Sequence, residues 1–312
     1  MEYLKEEDNL SNKILFTGLD TAGKSSIILT LQKELSKIAL IAPTKGAQRR
    51  IFEFLGAEIS EWDLGGQKSY RISYLKNPSK YFDNTQIAIF VIDIQNNLRL
   101  PEAISYLKDV IKQFYILKIH PPIHILFHKY DPDLPKEIIE KYNSLISELE
   151  RKVRKETEYE KLSFYKTSIY NLSSIILTIS GILLTLFPKK QLIKKTIGEF
   201  CNKINCSSLI ILDHNVLIIG YYFKNDQSRD LITGIMPNLI DLDDSLQKND
   251  CLEDGINDQI IFQRSKYFIL FKKVLLRNDL PPYYLILHKK GRYFFKEDLD
   301  PLINILMEII YK

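Results

Sequence analysis

The residues with the most chemistry in this chain stand in one short run, Gly18-Leu19-Asp20-Thr21-Ala22-Gly23-Lys24-Ser25. Two glycines flanking four residues, followed at once by lysine and serine, make a complete phosphate-binding loop. Gly18 and Gly23 allow main-chain conformations that turn successive N–H groups inward. The amides from Asp20 to Ser26 can then converge on a phosphate at a helix N-terminus. Lys24 supplies a cation for the β and γ phosphates, and Ser25 a hydroxyl ligand for Mg²⁺. The apolar run Lys13–Thr17 before the loop and the amphipathic run Ser26–Gln32 after it give the strand–loop–helix context this chemistry needs. The loop implies a nucleoside triphosphate.

Three later segments carry the residue types that would complete such a site. In Glu61-Trp62-Asp63-Leu64-Gly65-Gly66-Gln67, a carboxylate at a strand end can hold Mg²⁺ through water. The two glycines let a main-chain N–H reach a γ-phosphate, and Gln67 can orient an attacking water. In His128-Lys129-Tyr130-Asp131, the Asp131 carboxylate can accept hydrogen bonds from N1–H and the 2-amino group of guanine. Adenine would leave it without partners, at a cost of about 1–3 kcal/mol. In Lys166-Thr167-Ser168-Ile169-Tyr170, the main chain can donate to the guanine carbonyl and close the base pocket. All four segments, in this order and each at the C-terminal end of a predicted strand, point to a guanine-nucleotide site. A kinase or ATPase would need a base-neutral pocket or an acceptor site, and Asp131 weighs against it.

The phosphate loop, with Pro43-Thr44-Lys45-Gly46 and Trp62–Gln67, resembles the Arf family of small GTPases. The segments Ile87–Asp93, His128–Asp131 and Leu162–Tyr170 resemble the Rag/Gtr GTPases. The likeness covers the first 187 residues, and the remaining 125 in pattern only. It implies a small GTPase that binds GTP and GDP with Mg²⁺ and hydrolyses GTP slowly without an activating partner. Nucleotide contacts are then expected from Asp20, Thr21, Ala22, Gly23, Lys24, Ser25, Ser26, Thr44, Gly66, His128, Lys129, Asp131, Ser168 and Ile169. Ser25, Thr44 and Asp63 are the expected metal ligands, and Gln67 the catalytic residue that orients water. Thr44 falls where the family's switch I threonine contacts Mg²⁺, 19 residues before Asp63. Ser168 and Ile169 depart from the usual guanine-loop Ala and Lys. Ser168 keeps an N–H to donate, whereas Ile169 brings neither cation nor amide. Arg49 and Arg50, at the far end of switch I, read as surface or effector-facing residues rather than as an arginine acting in cis.

Positioning these segments calls for alternating strands and helices. Strands are expected at 12–17, 51–55, 58–62, 86–92, 123–127 and 161–166, and helices at 24–37, 67–77, 101–118, 135–154 and 172–186. This is an α/β pattern: a mostly parallel sheet with helices on both faces and ligands at the strand C-termini. The run Leu172–Phe187 is free of charge but short and hydroxyl-rich for a membrane span, and reads as a buried helix.

With 312 residues the chain can bury two cores, and domains are expected at 1–187 and 188–312. The second reads as a helix (190–204), five strands in one antiparallel sheet and a closing helix (297–311), with a polar stretch at 240–258. Beside a Rag-like domain, this α+β layout resembles a roadblock (longin-like) domain, which in that family pairs subunits side by side. The resemblance implies a homo- or heterodimer with a Rag-like or roadblock subunit, and activating and exchange factors. It also implies a cytoplasmic location with peripheral membrane contact through partners. A net charge of +4 is too mild to argue for nucleic acid. Three scattered cysteines, Cys201, Cys206 and Cys251, argue against a disulfide scaffold. The acidic run Met1–Asp8 predicts no signal peptide, and Glu2 in place of glycine no myristoyl anchor. A second reading stays open: a GTP-holding structural subunit of a roadblock-mediated dimer, without useful turnover.

Overall fold

The computed structural model describes residues 11–31, 42–248, 259–276, 281–291 and 299–311. The chain divides into two compact units, Met1–Thr178 and Ile179–Lys312, upstream of the 187/188 division read from the sequence.

In the first unit the chain runs β1 (Asn12–Gly18), α1 (Lys24–Leu31), β2 (Ala47–Phe54), β3 (Ala57–Leu64), α2 (Lys68–Lys76) and α3 (Pro78–Tyr81). It continues through β4 (Thr85–Asp93), α4 (Leu100–Ile116), β5 (Ile123–His128), α5 (Lys136–Thr157), β6 (Leu162–Thr167) and α6 (Leu172–Leu183), the last of which runs past the division after Thr178. The six strands form one sheet in the order β2-β3-β1-β4-β5-β6, with only β2 antiparallel to its neighbour. Strands β1, β4 and β5 are buried almost throughout, as expected for parallel strands covered on both faces. The core joins Leu15, Phe90 and Phe127 of the sheet to Leu107 and Phe114 of α4 and Val153 of α5. This is the expected α/β class.

Register brings the site residues to one edge of the sheet. Phe16 pairs with Asp63, Gly18 with Val91, Asp93 with His128 and His128 with Thr167. The ends of β3, β1, β4, β5 and β6 thus stand side by side.

Two boundaries differ from expectation. Strand β2 begins at Ala47, inside the segment read as switch I, and β3 reaches Leu64. The polar stretch Gln48-Arg49-Arg50 lies on an edge strand, where side chains face solvent and apolar alternation is not required. Residues 32–37 of the expected first helix, 38–41 of switch I and Met1–Asp8 lie outside the described residues.

The second unit runs α7 (Lys190–Lys203), β7 (Cys206–Leu212), β8 (Ile218–Phe223), α8 (Asp226–Lys248), β9 (Gln259–Arg264), β10 (Tyr267–Val274), β11 (Tyr283–Lys290) and α9 (Asp300–Tyr311). Its sheet is wholly antiparallel in the order β8-β7-β11-β10-β9. Helix α7 rests on β7 and β8 with α9 against it, and α8 rests on β7 and β11.

Helix α8 corrects the reading of a single run of five strands between two helices. Asn225 caps it: its side-chain oxygen accepts the Ser228 N–H at 2.9 Å, and Ser228 Oγ donates to the Asn225 carbonyl. Ile232, Met236, Leu239 and Ile240 form its buried stripe. Pro237 interrupts that pattern, and acidic residues follow it. The expected polar stretch is helical up to Lys248, and 249–258 lie outside the described residues, as do Cys251 and positions 297–298. Cys201 and Cys206 are both buried. Among the described residues, no helix is long and apolar enough to cross a membrane.

Candidate functional site

The sheet edge carries a cleft of about 450 Å³. Asp20, Thr21, Gly23, Lys24, Ser25, Ser26, Thr44, Gly66, Gln67, His128, Lys129, Asp131 and Ile169 line it, joined by Ala42, Pro43, Gln95 and Tyr170. Ala22, Asp63 and Ser168 are buried beside it. The segments that sequence reasoning picked out, from Asp20 to Ile169, meet in one place.

At the phosphate end, Lys24 is buried and its Nζ donates to the carbonyls of Leu19 (2.9 Å) and Gly18 (3.3 Å). Burial pushes its ammonium down to about 8, against the opposing pull of Asp63. Ser25 Oγ and Thr44 Oγ1 lie 2.7 Å apart, and both donate to the same oxygen of Asp63, at 2.9 and 3.1 Å. The other carboxylate oxygen, Oδ1, is buried without a hydrogen-bond partner among the described residues. An orphaned carboxylate oxygen beside two hydroxyls is a hard-oxygen donor set of the kind Mg²⁺ takes, so these three residues fit the ion.

Two glycines set the close approaches. A Cβ on Gly66 would lie 2.1 Å from the Asp20 nitrogen, so only glycine lets this segment rest on the phosphate loop. A Cβ on Gly23, at φ +98°, would lie 2.4 Å from the His128 ring. His128, fully buried, shares a 2.9 Å hydrogen bond with Thr167 through Nδ1. It therefore ties the ends of β5 and β6 to the phosphate loop. Burial, reinforced by the Lys129 charge, pushes its imidazole down to about 4 and keeps it neutral.

At the base end, Asp131 accepts from Ser168 Oγ at 2.5 Å and from Gln95 Nε2 at 2.8 Å. Lys129 Nζ pairs with Asp93 at 2.7 Å. The Ser168 N–H, expected to face the base, donates instead to Ser174 Oγ at 3.1 Å. The first turn of α6 captures it, and Ser168 reaches the pocket wall through its hydroxyl. Arg49 and Arg50 bond to Ser60 and Glu61 across the β2–β3 hairpin, at 2.8 and 3.0 Å.

Sequence reasoning missed the groups behind the cleft. Arg71 on α2 donates to the Gly66 carbonyl at 2.9 Å, pairs with Glu102 of α4 and stacks over Tyr106 at 4.9 Å. Glu102 also receives Arg99, at 3.2 Å, and Arg99 binds Asp20. The spacing of Arg71, one helical turn past Gln67, and the position of Asp93 at a strand end were usable signals. The link through Arg99 had none.

A G-x-x-x-x-G-K-S loop after a central strand, with acidic and amide groups from the neighbouring strand ends, defines a P-loop GTPase domain. A family model described as the Gtr1/RagA G protein conserved region matches residues 13–236. The ADP-ribosylation factor-like protein alp41 of Schizosaccharomyces pombe is 36% identical over 105 residues, 34% of this chain and 53% of its own length. ADP-ribosylation factor-like protein 3 of Chlamydomonas reinhardtii is 35% identical over 119 residues, 38% of this chain and 63% of its own length. The chain spans less than two thirds of either relative. The Arl6 BBS3 small GTPase of Trypanosoma brucei, solved with the analogue GppNp, aligns at 20% identity and a TM-score of 0.42, over 56% of this chain and 96% of that one. The chain belongs to the Gtr1/RagA family of G proteins.

Proposed function

We propose that this protein is a guanine-nucleotide switch that binds GTP and hydrolyses it to GDP. One observation carries the reading: Lys24, the Ser25–Thr44–Asp63 trio, Gly66 with Gln67, and Asp131 all converge on one cleft. The amides from Asp20 to Ser26 and the Lys24 ammonium hold the phosphates. Asp131 reads the base. Ser25, Thr44 and Asp63 would hold Mg²⁺, which would supply positive charge against the phosphates. Gly66 presents its N–H toward the γ-phosphate, and Gln67, at the N-cap of α2, orients the attacking water. Thr44 and Gly66 come from the two switch segments, about 38–50 and 64–78, so loss of the γ-phosphate releases both. No arginine lines the cleft among the described residues, so turnover is slow until a partner supplies one, worth about 10³–10⁵ in rate.

The antiparallel unit, with its β8-β7-β11-β10-β9 order, supports a roadblock-like pairing role, joining this subunit to a like or related one. The reading places the protein in the cytoplasm, meeting membranes through partners. The capture of the Ser168 N–H by Ser174 favours a second reading, in which nucleotide is held for structure without useful turnover.

Isothermal titration with GTP and with Lys24→Ala tests binding: the variant loses measurable affinity, and unchanged affinity would place the phosphates elsewhere. Multiple-turnover hydrolysis with and without cell extract separates switch from structural subunit. Stimulated turnover supports the switch, and none in either condition supports the second reading.

A further inference from the structure

The loop after β4 contributes a residue that no motif of the sequence assigned. Gln95 lines the cleft, and its carboxamide spends both N–H donors on the base-end segment. One goes to the Lys129 carbonyl at 2.9 Å and the other to Asp131 Oδ2 at 2.8 Å. Its own N–H is held by Asp93 Oδ1 at 3.0 Å, while Asp93 Oδ2 takes the Lys129 ammonium at 2.7 Å. The last residue of β4 and the loop residue two positions on thus grip the two ends of Lys129-Tyr130-Asp131.

Asp131 is held from the opposite side as well, by the Ser168 hydroxyl on Oδ1. Each oxygen of an ionised carboxylate offers two lone-pair sites. Gln95 fills one on Oδ2 and Ser168 one on Oδ1, which leaves one on each oxygen. Two adjacent acceptors in a carboxylate that cannot rotate match the N1–H and 2-amino donors of guanine. A carboxylate tethered on one side only could turn away or satisfy itself elsewhere. We propose that Gln95 determines base specificity, by locking the plane of the Asp131 carboxylate so that both remaining acceptor sites face the base.

This rests on the proposed guanine-nucleotide reading of the cleft. The Ile169 side chain adds no polar group from the opposite loop, so among side chains the discrimination falls on the locked carboxylate.

The test compares GTP, ITP and ATP dissociation constants for the full chain, Gln95→Leu and the isosteric Gln95→Glu, with melting temperatures for each. Inosine lacks the 2-amino group, so the GTP:ITP ratio reports how well Asp131 engages it. The parent is expected to prefer GTP over ITP by about tenfold or more, the worth of one hydrogen bond to a charged acceptor. In Gln95→Leu the ratio falls toward one, chiefly through weaker GTP binding. In Gln95→Glu, where an acceptor faces an acceptor, it falls at least as far. An unchanged ratio in both variants, whatever the melting temperatures, overturns the proposal and leaves Gln95 a structural tie. A parent that binds ATP as tightly as GTP overturns the guanine reading itself, and the role of Gln95 with it.

Discussion

Arg99 grips Asp20 twice, through Nη2 to the carboxylate at 2.7 Å and through Nη1 to the main-chain carbonyl at 3.2 Å. Asp20 belongs to the loop proposed to face the phosphates, where a bare carboxylate would repel them. Burial alone would raise this carboxyl, but the hydrogen bond and charge of Arg99 outweigh it and hold it below its usual value. The carboxylate stays ionised and is neutralised by its partner. For Arg99→Ala we expect triphosphate affinity to fall about tenfold, one like-charge contact at partial exposure. Adding Asp20→Asn should restore most of it. Titration with a non-hydrolysable GTP analogue decides: an equally weak double variant would mean that Arg99 acts by shape and not by charge.

The contact between Gly66 and the phosphate loop leaves no room for a methyl group, since a Cβ would sit 2.1 Å from the Asp20 nitrogen. Gly66→Ala should therefore keep GDP binding but misplace both its own N–H and Gln67. Single-turnover hydrolysis is expected to slow by about 10²-fold, the scale for loss of a preorganised donor. Parent-like rates in that variant would detach this segment from the chemistry.

His128 makes stability depend on pH in a defined window. Its folded value is about 4, against 6.5 as the ordinary value, so the unfolded chain binds the extra proton between these limits. The contribution is complete above pH 6.5 and declines as pH falls toward 4, by at most about 3 kcal/mol. The charges facing the ring are Lys129, which adds to the depression, and Asp131 and Asp93, which oppose it. His124 is also pushed down to about 4 by burial, so the parent curve contains both. Denaturant titrations of parent and His128→Asn across this range should diverge, with the variant flatter. Parallel curves would show that the imidazole is accessible to protons in the folded protein.

The Asn225 cap predicts an effect confined to the second unit. Asn225→Ala removes the acceptor for the Ser228 N–H and should destabilise that unit by about 1 kcal/mol. Nucleotide affinity, read in the same sample, should not change. A variant with an unaltered denaturation midpoint would show that α8 does not depend on this cap.

What the sequence disclosed follows physical locality. The phosphate loop was readable because strand, turn and helix signals for Gly18–Ser25 all lie within one short stretch. Asp63 was readable because it stands near a strand end just before two glycines, and Asp131 because it follows the apolar strand Ile123–His128 in the turn. Gln95, Glu102 and Arg99 owe their roles to the meeting of three separate loops, and no local pattern announces that. Strand β2 escaped in part because Gln48, Arg49 and Arg50 are polar residues on an exposed edge. Helix α8 was obscured by Pro237 and the acidic residues after it, although the Asn225–Ser228 cap and the spacing from Ile232 to Ile240 were present.

The strand order gives the two ends of the cleft unequal footing. Strand β1, which launches the phosphate loop, lies between β3 and β4, while β6, which launches the Ser168 loop, closes the row. Sheets fray from the margin inward, because an outer strand loses fewer neighbours when it opens. On the proposed guanine-nucleotide reading, the guanosine half would thus be the half that loosens first, while the phosphate tail stays anchored at the centre. Departure would begin at the base, and a factor that pries at the β6 margin could hasten it without touching Lys24.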